Sequence, residues 1–285
     1  AGSPRRDFSA SPRASGGRLR GFETGGEGMS EQVEYARPRR VESPEGCFFY
    51  HTMELPGLGV VHGQWDLRGK FEEYVGGVEV AGKSVLDVGT ATGFLSFEAE
   101  RRGAARVVSH DMSDVRQQTL LPFKDKLYYQ DREKWAEIYG GEMERWKDAY
   151  WLCHGLLGSR AEVFYGSVYE LPPGLGRFDV VFVGSVLEHL SDQVSALASI
   201  ARVAGGTLVV VTPLLETEER VARFEPLASN PDYDYTWWTY STGVYREVFR
   251  MLGFRLERVT KGSYYYDYAG RWEERFTIVA ARESG

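Results

Sequence analysis

Short apolar runs alternate with longer amphipathic stretches from residue 83 to the end of the chain. Five of the runs are dominated by valine, leucine and phenylalanine, which is typical of parallel strands covered on both faces. These runs occupy residues 84–88, 106–110, 162–165, 179–183 and 207–211. Two later runs, 254–260 and 275–281, alternate more strongly between polar and apolar residues. That alternation predicts a closing antiparallel pair.

The stretches between the runs carry the periodicity of helices. They occupy residues 93–102, 131–157, 193–203 and 242–252. Strands that alternate with helices imply crossover connections between parallel strands. The pattern therefore predicts an α/β fold with a parallel sheet covered by helices.

Composition narrows the class of protein further. With 285 residues, 42% of them apolar and 26% charged, the chain is neither fibrous nor wholly disordered. It has no run of about 18 uncharged apolar residues, so no membrane-spanning helix is predicted. The net charge of −7 disfavours nucleic acid as a partner. Two cysteines, Cys47 and Cys153, lack metal-ligand spacing and suit a reducing, cytoplasmic location.

The N-terminal 44 residues differ from the rest because Ser, Gly, Pro and Arg dominate them. Such a segment buries too little apolar surface to offset its ordering entropy, so we predict a disordered tail over 1–44. Its first 20 residues hold five arginines and one aspartate, which also fits a transit peptide or an anion-binding tail. Met29 resembles a native start, so 1–28 is interpreted as an added leader. The domain is predicted to span 45–285.

A glycine-containing turn follows the first predicted strand and opens the first helix. Residues 87–93 read Asp-Val-Gly-Thr-Ala-Thr-Gly. A ligand at the carboxyl end of a parallel strand needs backbone without a Cβ beside it, and the following helix offers unpaired N–H groups. Asp111 ends the next strand, 24 residues after Asp87, where a carboxylate can accept both ribose hydroxyls of a nucleoside. The spacing predicts a cofactor site.

The same turn resembles the first motif of class I S-adenosylmethionine-dependent methyltransferases. That motif has the form acid-x-Gly-x-Gly-x-Gly, and Ala91 stands here in place of the middle glycine. The turn does not contain the Gly-x-Gly-x-x-Gly of dinucleotide-binding proteins or the Lys-Ser/Thr of a phosphate-binding P-loop. A dehydrogenase-like Rossmann protein is the alternative interpretation.

Later segments resemble further motifs of that family in the expected order. Residues 164–172 resemble the third strand end, which flanks adenine; 177–190 resemble the fourth motif, and 204–213 the fifth strand. The resemblance implies a doubly wound, seven-stranded, mostly parallel sheet with S-adenosylmethionine as cofactor. It implies that the following residues bind this cofactor: Asp87, Gly89, Thr90, Gly93, Asp111, Met112, Ser167, Val168, Gly184 and Ser185.

Residues 45–80 are dense in aromatic side chains and resemble an N-terminal cap. The similarity is to a bacterial methyltransferase group related to the tRNA uridine-5-oxyacetate-forming enzymes. It implies that Tyr50, His51, Trp65 and Arg68 close over the methionine end of the cofactor, with the planar Arg68 fork on its carboxylate. The alternative is a hairpin packed on the sheet, with His51 in a structural role.

Two aromatic segments are expected over the carboxyl edge of the sheet. The insertion 112–160 is longer than a plain class I core needs, and it either shapes the acceptor pocket or forms an ordinary helical hairpin. The second segment, 231–245, follows the fifth strand and suits a ring-shaped acceptor by stacking. Its predicted acceptor residues are Tyr235, Trp237, Trp238 and Tyr240. Alternatively, one of the tryptophans staples the last helix to the sheet.

Methyl transfer is an in-line displacement, so the protein supplies alignment and, for acceptors of high pKa, a base. The predicted base is His189, which follows Glu188 just past the fourth strand. The alternative is that His189 only caps or packs. Some relatives bind a divalent metal with Glu-x-x-Glu-His, but Ser185 replaces the first acid here. No metal is therefore predicted.

Together these features predict a methyltransferase that acts on oxygen or nitrogen of a small metabolite, such as a sugar, an aromatic compound or a natural-product intermediate. Two alternatives stay open. A tRNA-base-modifying enzyme would show a basic groove and salt-sensitive RNA binding. A non-catalytic S-adenosylmethionine-binding protein would bind the cofactor without turnover.

Overall fold

The structure is a computed structural model that describes residues 33–283, so the predicted tail up to residue 32 lies outside the described residues. The strands within the described range are β1 Met53–Leu55, β2 Gly59–Val61, β3 Trp65–Asp66, β4 Ser84–Val88, β5 Arg106–Asp111, β6 Glu162–Tyr165, β7 Phe178–Gly184, β8 Ala204–Thr212, β9 Ala222–Phe224, β10 Trp238–Tyr240, β11 Phe254–Tyr266 and β12 Arg271–Arg282. The helices are α1 Phe71–Tyr74, α2 Phe94–Arg101, α3 Leu127–Gln130, α4 Arg132–Leu157, α5 Gln193–Val203 and α6 Thr242–Met251.

The central sheet confirms the predicted α/β class. Its strand order is β3-β11-β12-β8-β7-β4-β5-β6. Strands β4 to β8 run parallel, whereas β12 lies antiparallel between β8 and β11. The described sheet has eight strands, one more than predicted. The additional strand, β3, has two residues and pairs only with Tyr265 and Tyr266 at the end of β11.

Helices cover both faces of the sheet, as expected for a doubly wound fold. Alternate residues of β4 enter different cores: Val85 packs with α2 and α4, and Leu86 packs with α5 and α6. Both side chains are fully buried. A strand enclosed in this way gains hydrophobic stabilisation on both faces, which explains why its sequence is nearly continuous apolar. No helix within 33–283 is long and apolar enough to cross a membrane.

The insertion between β5 and β6 is dominated by α4, which has 26 residues. Asp131 caps its first turn by accepting a hydrogen bond from the Lys134 N–H at 3.0 Å. Gly158 ends it in the left-handed conformation, at φ +62°. These end signals agree with the predicted helix over 131–157.

Part of the predicted tail contacts the domain. The Ala36 N–H donates to the Val163 carbonyl at 2.7 Å, and Arg106 donates to the Tyr35 hydroxyl at 2.7 Å. The boundary of the tail is therefore corrected for residues 33–44. Composition averaged over 44 residues did not reveal these contacts, because the open edge of β6 provides the backbone partner.

We expect removal of residues 1–41 to lower the melting temperature by about 4–8 °C. The truncation deletes the hydrogen bonds of Tyr35 and Ala36, a loss of about 2 kcal/mol, and each 1 kcal/mol shifts the melting temperature of a domain of this size by about 2–4 °C. Removal of residues 1–32 is the matched control and should change it by less than about 1 °C. Equal melting temperatures for both truncations, measured by calorimetry, would show that 33–41 does not stabilise the domain.

Candidate active site

The turn after β4 has a conformation that its two predicted glycines require. Gly89 has φ +75°, and a Cβ there would lie 2.3 Å from Cγ2 of Val186. Gly93 has φ +89°, and a Cβ there would lie 2.4 Å from the Phe97 ring. Side chains are excluded at both positions by φ and by space. The turn therefore leaves bare backbone at the carboxyl end of β4, as a close cofactor approach needs.

Asp111 lies beside this turn at the end of β5. Its Oδ2 accepts the Ala91 N–H and its Oδ1 accepts the Met112 N–H, each at 2.8 Å. Burial raises the pKa of Asp111, and these two N–H donors oppose that rise. Each carboxylate oxygen keeps a free lone pair. The pair of oxygens can therefore still accept the two hydroxyls of a ribose.

A narrow cleft lies in front of Asp111, and α4 forms one of its walls. The lining residues are Thr90, Ala91, Asp111, Met112, Met143, Trp146, Lys147, Tyr150 and Tyr165. Sequence reasoning expected the insertion 112–160 over this edge of the sheet but did not assign its four α4 residues to the cofactor. Their spacing of i, i+3, i+4 and i+7 places them on one helix face, and this spacing is the signal that could have found them.

Asp87 lies inside the turn, and its carboxylate is bound by the turn's own hydroxyls. Its Oδ2 accepts hydrogen bonds from the hydroxyls of Thr90 and Ser96, each at 2.8 Å. Burial raises the pKa of Asp87 to about 6, against the opposing effect of these hydroxyls. The Ser96 hydroxyl also lies 2.7 Å from the Ser109 hydroxyl, which in turn lies 2.8 Å from the Tyr150 hydroxyl. The structure therefore gives Asp87 a role in holding the turn.

The cap residues Tyr50 and His51 lie against the same turn. Both backbone N–H groups donate to the Thr92 hydroxyl, at 2.8 and 3.2 Å. Burial lowers the pKa of His51 to about 3, so its imidazole is neutral at pH 7. Its buried Nδ1 has no hydrogen-bond partner within 33–283. His51 can therefore offer a polar atom, but no positive charge, to a bound cofactor.

Arg68 is placed differently from its predicted role. Its Nε and Nη2 bind the two carboxylate oxygens of Asp66, at 2.9 and 2.7 Å. The planar edge expected to meet the cofactor carboxylate therefore binds Asp66, two residues away, and the contact of Arg68 with the cofactor stays a prediction. The ring of Trp65 lies 4.7 Å from that of Tyr266, and the guanidinium of Arg275 lies 4.8 Å from the Trp65 ring.

The carboxyl end of β7 brings polar groups together. Ser185 has φ +50°, and its hydroxyl lies 3.4 Å from the Tyr74 hydroxyl. Gly184 keeps the space beside Tyr74 open, because a Cβ there would lie 3.3 Å from that hydroxyl. Burial and then the negative charge of Glu188 raise the pKa of Tyr74. Sequence reasoning did not identify Tyr74, since α1 is too short for a periodic pattern.

Ser167 and Val168 lie in the turn after β6, on the other side of Asp111. The Ser167 hydroxyl accepts the Tyr169 N–H at 3.2 Å and begins a short 3-10 turn. The Gly166 N–H donates to the Asp111 carbonyl at 2.9 Å. Val168 packs against the core beneath α5. The turn is thus next to Asp111, as a position beside adenine requires.

His189 has a defined tautomer. Its Nδ1 lies 2.7 Å from the carbonyl oxygen of Tyr235. A carbonyl can only accept, so Nδ1 carries the proton of the neutral ring and Nε2 keeps a free lone pair. The Tyr235 ring lies 5.8 Å from the imidazole. His189 is therefore prepared to accept a proton at Nε2.

The structure divides the predicted acceptor residues into two pairs. Tyr235 lies against His189, and the Trp237 backbone N–H donates to the carbonyl of the adjacent Glu188 at 2.8 Å. The Trp237 indole donates to the Thr119 carbonyl at 2.9 Å. Trp238 donates its indole N–H to Ser191 at 3.3 Å, on the side of α5. Tyr240 packs on α6, with its ring 5.9 Å from that of Tyr245. The predicted wall of four is thus reduced to the first pair, since the strand directs Trp238 and Tyr240 elsewhere.

Residues 33–283 contain no group of three or more His, Cys, Asp or Glu side chains placed to hold a metal ion.

Comparisons with known proteins place the chain in a family. A family model described as a methyltransferase domain matches residues 67–259. No curated protein matches the chain. Among solved structures, the magnesium protoporphyrin IX methyltransferase of Synechocystis PCC 6803, with bound S-adenosylmethionine, is 17% identical, covers 76% of this chain and 78% of its own, and has a TM-score of 0.43.

Two further structures are similar at the same level. The 1,6-didemethyltoxoflavin-N1-methyltransferase of Burkholderia thailandensis is 17% identical over 76% of this chain and 78% of its own, with a TM-score of 0.46. A SAM-dependent methyltransferase of Aquifex aeolicus is 18% identical over 77% and 91%, with a TM-score of 0.45. The family model alone spans more than half of the chain. The chain therefore belongs to the methyltransferase domain family and is an S-adenosylmethionine-dependent methyltransferase.

Proposed function

We propose that this enzyme methylates an oxygen or nitrogen atom of a small, ring-shaped acceptor, with His189 as the base. One observation carries the proposal, the 2.7 Å hydrogen bond between His189 Nδ1 and the Tyr235 carbonyl. It fixes the tautomer that a base needs and stabilises the imidazolium that forms when Nε2 takes a proton.

The cofactor residues fit S-adenosylmethionine, which when bound supplies a methyl group on a positively charged sulfur. Gly89 and Gly93 provide bare backbone, and Asp111 provides two acceptor oxygens. The protein's contribution to the reaction is alignment and proton removal. Burial lowers the pKa values of His51 and His110 to about 3 and about 4, which makes both of them poor bases at pH 7.

The surroundings of His189 support a small, flat acceptor. The rings of Tyr235 and Trp237 offer stacking surfaces with polar edges. Residues 231–245 include two aspartates and no lysine or arginine, whereas a phosphate backbone would need positive charge. The relationship to the tRNA uridine-5-oxyacetate-forming enzymes and the choice among sugar, aromatic and natural-product acceptors stay predictions.

A screen of small acceptors with methyl-labelled S-adenosylmethionine tests the proposal. With the acceptor that it finds, we expect Trp237→Ala to lower turnover at least tenfold, because a stacking surface beside His189 is lost. Cofactor affinity should stay within about twofold. Trp238→Ala is the matched control, since its indole lies on the side of α5, and it should retain most of the turnover.

Three results would contradict the proposal. The first is normal turnover in Trp237→Ala, which would show that Trp237 does not contact the acceptor. The second is methylation of transfer RNA alone, with binding that weakens steeply as salt rises. The third is cofactor binding without transfer to any acceptor, as expected of a non-catalytic binding protein.

A further inference from the structure

Glu188 is a buried carboxylate with too few partners. It belongs to the short 3-10 turn Leu187–His189, and only 3% of its surface is exposed. Its Oε2 accepts one long hydrogen bond, 3.3 Å from the Thr212 hydroxyl, and it forms no ion pair within 33–283. A carboxylate can accept about four hydrogen bonds, and a buried one is normally paired. This side chain therefore has acceptor capacity for a ligand.

The groups around Glu188 do not neutralise it. After burial, its negative charge also contributes to the raised pKa values of Tyr50 and Tyr74. Arg275 acts on the same two phenols in the opposite direction. That guanidinium, however, already binds Glu273 at 3.0 Å. Within 33–283, the Glu188 carboxylate therefore has no cationic side chain in direct contact with it.

Glu188 also lies where the acceptor is proposed to react. It directly precedes His189, and its backbone carbonyl accepts the Trp237 N–H at 2.8 Å. Tyr74, which responds to its charge, approaches Ser185 at the carboxyl end of β7. The unpaired carboxylate, the base and the stacking surface thus share one edge of the sheet.

We propose that the acceptor atom is an amine nitrogen and that Glu188 selects it; this rests on the proposed function above. The amine binds to Glu188 as an ammonium ion, and one of its protons passes to Nε2 of His189. The nitrogen lone pair that this frees then forms the new bond to the methyl carbon. The bond between that carbon and sulfur breaks, and its electron pair stays on sulfur. Positive charge thereby moves from sulfur to the nitrogen beside Glu188. The product leaves as a methylated ammonium ion, and Nε2 of His189 releases its proton to solvent.

An oxygen acceptor would meet the opposite electrostatics. Removal of its proton before attack places negative charge on oxygen, and the nearby Glu188 carboxylate would raise the energy of that anion. A nitrogen acceptor attacks without becoming an anion, and its product is stabilised by the same carboxylate. The charge of Glu188 therefore favours nitrogen over oxygen.

Binding of matched ring compounds tests this selection without requiring turnover. Three pairs differ only at the reacting group: benzylamine and benzyl alcohol, 2-phenylethylamine and 2-phenylethanol, and tryptamine and tryptophol. Each would be titrated calorimetrically into protein saturated with S-adenosylhomocysteine. In at least one pair we expect the amine to bind at least tenfold more tightly, the effect of a hydrogen bond to a charged group.

Substitutions of Glu188 test whether this residue causes the preference for amines. We expect Glu188→Gln to reduce it to less than threefold, with cofactor affinity within twofold, and Glu188→Asp to retain part of it. Glu98→Gln is the control, since this carboxylate on α2 is paired with Arg101 and Arg102. It should keep the full preference. If Glu188→Gln does not fold, the comparison between wild type and Glu188→Asp decides whether the preference follows the carboxylate.

Several results would overturn the inference. They are the absence of amine preference in every pair, a preference that survives Glu188→Gln, and a loss of cofactor affinity above tenfold in that variant, which would assign Glu188 to the cofactor. Labelled methyl found on the hydroxyl compounds instead of the amines would also overturn it but would leave the proposed function standing. The absence of transfer to any acceptor would overturn the proposed function itself.

Discussion

Replacement of His189 by asparagine should lower kcat for methyl transfer by about 100- to 10,000-fold, the range that a general base contributes. Asparagine can still donate a hydrogen bond to the Tyr235 carbonyl, which His189 Nδ1 approaches at 2.7 Å. It offers no basic nitrogen in place of Nε2. The variant therefore separates proton removal from the structural role of the side chain. Steady-state kinetics with labelled S-adenosylmethionine measure the effect.

The binding of the cofactor supplies the control for His189→Asn. Its affinity for S-adenosylmethionine should stay within about twofold of wild type, since His189 is not among the residues that line the cleft in front of Asp111. A kcat within threefold of wild type would show that His189 only packs. The base would then have to be sought elsewhere.

The second large effect is expected at Asp111. Replacement by alanine should weaken S-adenosylmethionine binding by about 1.5–3 kcal/mol, the usual contribution of hydrogen bonds to a charged group. The variant removes both oxygens that can accept the ribose hydroxyls. Calorimetric titration measures the loss.

Asp114→Ala is the matched control for Asp111→Ala. This neighbouring carboxylate is half exposed and binds Arg116, so its loss should leave cofactor affinity unchanged. Because Asp111 also accepts the N–H groups of Ala91 and Met112, the melting temperature of each variant should be recorded. Unchanged affinity in a folded Asp111→Ala protein would remove Asp111 from the cofactor site.

The long elements of the fold could be predicted because their signals are local. The predicted strand 84–88 and helix 193–203 coincide with β4 and α5, since buried β-branched runs and amphipathic periodicity are read directly from the chain. The short elements β3 and α1 were not predicted. Two or four residues carry no period, and β3 exists only because the end of β11 offers it a partner.

The candidate site was likewise predictable only where its features depend on neighbours in sequence. Gly89, Gly93 and Asp111 were predictable, because turn geometry and strand-end chemistry depend on neighbours in sequence. The α4 face that lines the cleft needed the tertiary arrangement, which decides the side of the helix that faces Asp111. The pairing of Arg68 with Asp66 was not predicted, because sequence reasoning did not weigh this partner two residues away.

A crystal structure with S-adenosylhomocysteine tests the central claim, that this edge of the sheet is a methyltransferase site. The account predicts both ribose hydroxyls within hydrogen-bond distance of the Asp111 carboxylate, the adenosine along the α4 wall that includes Trp146, and the sulfur on the side of Glu188 and His189. Density for the ligand away from Asp111, or sulfur directed away from His189, would contradict it.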